Sequence, residues 1–187
     1  MTTMRLRLKL AVFLVLTAAL ITVTVYCWPV IAAHARAPEK TMQLFYMGDH
    51  EPELADPLIL AGGRVSPTVT QAISNAKMPL RRYAISFLGD DRVRDAIPIL
   101  ERIVSTETEA DYFRGDALEA IYKIDPSVGR RIASGFDKRS VGDVLPTPAT
   151  DYLGWSAREV LSDSKRLVER RTVWRILHEY WFPEKFE

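Results

Sequence analysis

Histidine is the side chain best suited to move protons or hold a metal near neutral pH, and this 187-residue chain has three: His34, His50 and His178. They fall on different segments, and neither a His-Glu-x-x-His run nor any Cys/His spacing accompanies them, so no zinc site is expected. Asp49-His50-Glu51 imitates an acid/base cluster, but a solvated connecting run accounts for three consecutive polar residues. Asp90-Asp91 pairs two carboxylates directly after Gly89, where a solvated turn accounts for them. Ser86, Ser134 and Ser156 lack the surroundings of a nucleophile elbow, and Gly62-Gly63 and Gly89 lack the spacing of a phosphate loop. The expectation is a chain with no catalytic, cofactor-binding or metal-ligating residues, and so not an enzyme.

Cations and aromatic rings remain. Arg81-Arg82 and Arg130-Arg131 are spaced like solvated or inter-repeat arginines, and a ridge of them would suit an acidic peptide. Arg170, Trp174 and Trp181 join them as candidate partner-binding residues near the C-terminus. A formal charge of +1 gives no general attraction to nucleic acid, and no small-molecule site is evident. One Cys excludes an intramolecular disulfide framework.

The near-neutral charge is an average over two unlike parts. Residues 1–37 hold Arg5, Arg7, Lys9 and Arg36 with no acid, a balance of +4, which leaves −3 for residues 38–187. Between Lys9 and His34 the only ionisable groups are Tyr26 and Cys27, in a run from Leu10 to Ala33 dominated by Ala, Val, Leu and Ile. At about 1.5 Å per residue, Leu10 to Trp28 spans about 28 Å as a helix, close to the hydrocarbon thickness of a bilayer. Tyr26, Trp28 and Pro29 close it, with the rings where a headgroup anchor belongs.

The expected reading is an uncleaved signal anchor: a cytoplasmic basic tail at 1–9, one transmembrane helix at 10–33, and the rest outside, on the periplasmic side if the source is bacterial. A cleavable signal with Ala33-His34-Ala35 as its exit is the alternative, though the apolar run is long for one. Lipoprotein cleavage before Cys27 would need a small residue where Tyr26 stands.

Such an anchor needs a domain to hold. Residues 34–53 read as a polar tether broken by Pro38 and Pro52, with Leu44, Phe45, Tyr46 and Met47 as an apolar patch free to pack on the domain beyond it. Met78-Pro79 should open a helix with Leu80, Tyr83, Ala84, Phe87 and Leu88 on one face, and Gly89 should stop it. A second helix carries Ala96, Ile97, Ile99, Leu100, Ile103 and Val104, with Asp95 as its cap and Pro98 in its first turn. The pair then recurs. Thr106 to Glu109 resembles a capping box, Tyr112, Phe113, Ala117, Leu118, Ile121 and Ile124 form an apolar face, and Asp125-Pro126 caps a short partner helix. The copies align at a spacing of 33: Ala84 with Ala117, Ile85 with Leu118, Leu88 with Ile121, Ile99 with Ile132. A weaker copy, Leu58 to Ala61 and then Ser66-Pro67 with Val69, Ala72 and Ile73, precedes them at a spacing near 28. Helix pairs at such a period predict an α-solenoid over 54–136, with a small bundle as the alternative.

The run from Leu80 to Leu100, with Leu88-Gly89 and the acidic turn Asp90-Asp91, resembles the short HEAT-like repeats, and Phe113 to Val128 echoes it with Tyr122-Lys123 in place of Leu-Gly. That resemblance implies an all-α solenoid and protein binding far more often than catalysis. Some proteins with similar repeats are bilin lyases, and no residue here carries over for that chemistry. Residues 137–154 break the repeat as a loop. Residues 155–187 read as capping or docking helices, the longer from Ser164 to about Phe182 with Leu167, Trp174, Leu177 and Trp181 on one face. Three roles suit it: closing the solenoid, docking a partner, or lying on an anionic membrane surface.

The function expected is therefore a membrane-anchored protein-protein docking module, an accessory subunit or assembly factor of a membrane complex. An enzyme related to HEAT-like repeat lyases is the runner-up. A secreted periplasmic binding protein, released by signal cleavage, is the other alternative.

Overall fold

The computed structural model describes residues 2–48, 53–136, 147, 149 and 151–183, with side chains from Val12 onward. The Asp49-His50-Glu51 run and most of the 137–154 loop lie outside the described residues. Within them the chain is all-α, with no strand.

The apolar N-terminal run forms two helices rather than one. α1 (Thr2–Tyr26) and α2 (Trp28–Ala35) meet at Cys27, and Val12–Tyr26 and Trp28–Ala35 are bent by 61°. Pro29, in the first turn of α2, has no N–H to continue the ladder of α1, so the interruption falls there. Among the described residues no single helix is long and apolar enough to cross a membrane, and this bent pair meets the requirement of length and composition only jointly. The single straight span expected over 10–33 is corrected accordingly. Phe13, Leu16, Leu20 and Val23 on α1 are exposed, while Ala33 on α2 is buried where α2 packs against α4 (Asp56–Ala61).

A helix also stands where a tether was expected. α3 (Pro38–Tyr46) starts with proline at its first position and buries Met42 and Phe45, joining α2 on α4. The N-terminal helices are thus held against the rest of the described chain by packing.

Next come α5 (Ser66–Ala72), α6 (Arg81–Asp90), α7 (Ile97–Ser105), α8 (Asp111–Ile124) and α9 (Pro126–Ala133). α8 lies against α6, α7, α9 and α10 (Tyr152–Leu161), so the core is centred on it. Ala84, Ile85, Leu88, Ala117, Leu118 and Ile121 are all fully buried, as the spacing of 33 requires.

Several boundaries differ from the sequence reading. Leu80 adopts a left-handed conformation (φ 53°), so α6 begins at Arg81 rather than at Met78-Pro79. Gly89 does not stop that helix. It remains helical at a close approach of α6 to α8, where a methyl would come within 2.7 Å of the Ala120 Cα. The stop is Arg92 (φ 55°), with the Val93 N–H donating to the Leu88 carbonyl and the Arg92 N–H to that of Gly89. Asp95 lies in a 3-10 turn (Arg94–Ala96) and leaves Ala96 at the cap of α7. Thr106 and Glu109 form no capping box, because the Thr106 hydroxyl donates back to the Arg102 carbonyl and Glu109 is taken by Arg81. Asp125 does cap α9, accepting from the N–H groups of Ser127 and Val128.

The helix expected from Ser164 to Phe182 is two: α11 (Lys165–Val168) and α12 (Val173–Trp181). Between them Arg171 turns inward to pair with Asp56 of α4, and Thr172 caps α12. α10, packed on α8 and α9, covers the end of the helical stack, and α12 returns to α4 and Tyr26.

Candidate functional site

α5 and α7 are the second helices of successive pairs, and each turns one face to the core and one outward. On α5, Val69 goes to the core, with Ile73 just beyond the helix; on α7, Leu100, Ile103 and Val104 do. Facing outward are Pro67, Thr70 and Gln71 on α5 with Ser74 just beyond it, and Pro98, Ile99 and Arg102 on α7 with Asp95 in the turn before it. These eight residues line one open cleft of about 680 Å³, with Val93 and Asp91 at its side.

The cleft mixes chemistries. Pro67, Val93, Pro98 and Ile99 supply apolar surface, while Gln71, Asp95 and Arg102 supply donors and acceptors. The Thr70 hydroxyl, shielded from water, has no hydrogen-bond partner among the described residues. Ser66 donates to Asp91 at 3.3 Å. Burial pushes the Asp91 carboxyl above its ordinary range, and the Ser66 hydrogen bond and the Arg170 charge pull the other way. Apolar walls with spaced polar groups fit a short stretch of polypeptide, whose backbone needs both donors and acceptors.

A second groove, of about 410 Å³, runs over α6, α8 and α10 and is ionic. The Arg82 Nε donates to Asp116 at 2.6 Å, Tyr152 Oη to the same carboxylate at 2.8 Å, Arg166 to Glu119 at 2.5 Å, and Lys123 to Asp90 at 2.7 Å. Burial, with the Asp116 and Glu119 charges added, pushes the Tyr152 phenol above its ordinary range, so it stays a protonated donor. Each of these charges already has a partner, which makes the groove a clasp between helices. Among the described residues no three His, Cys, Asp or Glu side chains converge as metal ligands.

The expected arginine ridge is not assembled. Arg81 is 2% exposed: it donates to Glu109 through both terminal nitrogens (2.7 and 2.9 Å) and to the Ile73 carbonyl, an internal strut rather than a surface cation. Arg82 lies in the ionic groove. Arg130 pairs with Asp163 at 2.5 Å above the Tyr122 ring, and Arg131 pairs with Glu101 at 3.1 Å. Arg170 donates to the Asp90 carbonyl. Trp174 and Trp181 meet elsewhere, around Tyr26. The cleft was not anticipated from the sequence, because its mixed polar and apolar lining leaves no apolar periodicity to read.

No protein-family model matches this chain, nor does any curated protein or solved structure.

Proposed function

We propose that the chain is a membrane-anchored docking protein, a short HEAT-like α-solenoid held at a bilayer by α1, whose cleft between α5 and α7 grips a peptide segment of a membrane-associated partner. The observation that carries this reading is the open cleft between two successive second helices, walled by Pro67, Pro98 and Ile99 and spaced with polar groups, since neighbouring repeats set side by side make a continuous binding surface. The exposed aliphatic face of α1 supports the anchor, because so contiguous an apolar surface is unstable in water. From Leu10 to Tyr26 α1 runs about 25 Å, nearly one hydrocarbon thickness, and the bent α2 supplies the rest of the apolar length at the far surface.

The test places a photoactivatable amino acid at Gln71, or at Trp155 as a control, in the full chain in its own membrane. A discrete adduct from Gln71 alone, abolished by Arg102→Glu with the melting temperature unchanged, is expected. Equal adducts from both positions, or survival of the Gln71 adduct in the variant, would refute cleft docking. Extraction of the chain by alkaline carbonate would refute the anchor.

A further inference from the structure

The last helix ends at the mouth of the first. Trp181 donates its indole N–H to the Tyr26 carbonyl at 3.0 Å, at the bend where the backbone ladder of α1 is interrupted. The Tyr26 ring stacks with Trp181 at 6.4 Å and lies tilted against Trp174 at 5.8 Å. Ile176 and Leu177 fix α12 by burial, and Arg171 pairs with both Asp56 on α4 and Glu179 on α12. Yet much of this aromatic surface is exposed among the described residues: Trp174 is 67% exposed and Tyr180 60%, with Trp28 exposed just beyond the bend.

We infer that α12 is an interfacial foot whose ligand is the phospholipid bilayer at the boundary between headgroups and acyl chains. The inference rests on the anchor reading of α1. If the basic end of α1 marks one face of the bilayer, Tyr26 stands about 25 Å along the helix, at the opposite headgroup level. Trp181 is hydrogen-bonded to Tyr26 and therefore shares its depth. Indole and phenol rings are most stable there, with the ring in acyl chains and the N–H or O–H toward water. Trp174 and Trp181 meet Tyr26 at the end of the exposed aliphatic surface of α1, which selects lipid over a soluble partner. Charge plays little part, since Arg175 and Arg171 are both paired with Glu179. The foot fixes the domain against the leaflet and so fixes the height at which the cleft is presented.

The experiment reconstitutes the full chain in phosphatidylcholine vesicles containing phosphatidylglycerol, with a nitroxide either near the headgroup or near the acyl-chain end. Trp28→Phe with Trp155→Phe isolates the emission of Trp174 and Trp181. Phe at positions 28, 174 and 181 isolates Trp155. Severalfold stronger quenching of the first variant than of the second by the shallow nitroxide, and weaker quenching of it by the deep one, is expected. In a chain carrying Trp28→Phe with Trp155 native, adding Trp174→Phe with Trp181→Phe removes most shallow-quenchable emission, which covers the case in which Trp155→Phe disturbs folding. Quenching of Trp174 and Trp181 no greater than that of Trp155, in protein that resists carbonate extraction, overturns the foot and leaves the anchor standing. Extraction by carbonate overturns both.

Discussion

Arg81 and Arg114, 33 positions apart, make the same bond: the Nε of Arg81 donates to the Ile73 carbonyl at 2.8 Å and the Nε of Arg114 to the Val104 carbonyl at 2.9 Å. Both acceptors lie at the C-terminal end of the preceding second helix, where carbonyls have no partner within the helix. Each guanidinium also lies over a ring, Phe113 for Arg81 and Phe136 for Arg114. One arginine per pair thus staples each pair to the next.

The two staples differ in their acids. Glu109 is 15% exposed and accepts two bonds from Arg81, whereas Asp111 is 48% exposed and accepts one, at 3.3 Å, from Arg114. Arg81→Ala should therefore cost about 3–5 kcal/mol, the range for breaking a buried pair. Arg114→Ala, which chiefly orphans a carbonyl, should cost about 1–3 kcal/mol. Urea unfolding of the two variants checks the order, and an Arg114→Ala loss as large as that of Arg81→Ala would contradict it.

The core of this fold was legible because a helix writes its buried face locally. Ala84 and Ala117, Leu88 and Ile121 were read from spacing and are buried as read. Arg81 and Arg82 were not separable, because adjacent residues on a helix point about 100° apart and only the phase of the packed face decides which is internal. The return of α12 was also illegible. Arg171 meets Asp56 across 115 positions, a relationship with no local signature. The cleft was not legible either, because its lining mixes polar and apolar side chains from two helices and the turns beside them.

Gly89 and Ala120 set the distance between α6 and α8. A methyl at Gly89 would meet backbone as well as side chain, so neither neighbour can rotate away. Gly89→Ala should destabilise by about 1–3 kcal/mol, the usual cost of overpacking, against the small gain alanine brings to an exposed helix. Adding Ala120→Gly should recover little, because the closest approach is to the Ala120 Cα itself. Thermal melts of the single and double variants decide, and full rescue by the second change would show the contact to be with the side chain alone.

Asp125 holds its cap as a carboxylate. Hydrogen bonds from the Ser127 hydroxyl and the Val128 N–H hold its pKa below the ordinary value. A depressed acid stabilises the fold above its unfolded pKa and loses that contribution as pH falls through the folded one. Asp125→Ala should therefore lower the melting temperature at neutral pH, and the gap from the native chain should narrow on acidification. A gap independent of pH would show that the cap does not depend on charge.

Arg171 is the strap between the last helix and the domain, and its loss should leave a recognisable pH signature. Burial pushes the Asp56 carboxyl above its ordinary range, and the Arg171 hydrogen bond and charge pull it back. Burial also raises Glu179, but hydrogen bonds from Arg175 and Arg171 outweigh it and hold that acid below its ordinary range. Arg171→Met removes the counter-charge from Asp56 and sends that carboxyl higher still. A raised acid weakens the fold where it is ionised, so the deficit of the variant should be greatest at neutral pH and shrink as pH falls through the raised value. Loss of the Glu179 pairing adds to the deficit in the same sense, since a depressed acid contributes above its unfolded pKa and that contribution fades on acidification. The two carboxylates are separated by adding Asp56→Asn to Arg171→Met. Removing the stranded buried charge should restore much of the neutral-pH stability and flatten the pH profile, leaving only the smaller Glu179 part. Thermal melts from neutral to mildly acid pH give the comparison, and identical profiles for the single and double variants would show that Asp56 is not the group Arg171 holds ionised.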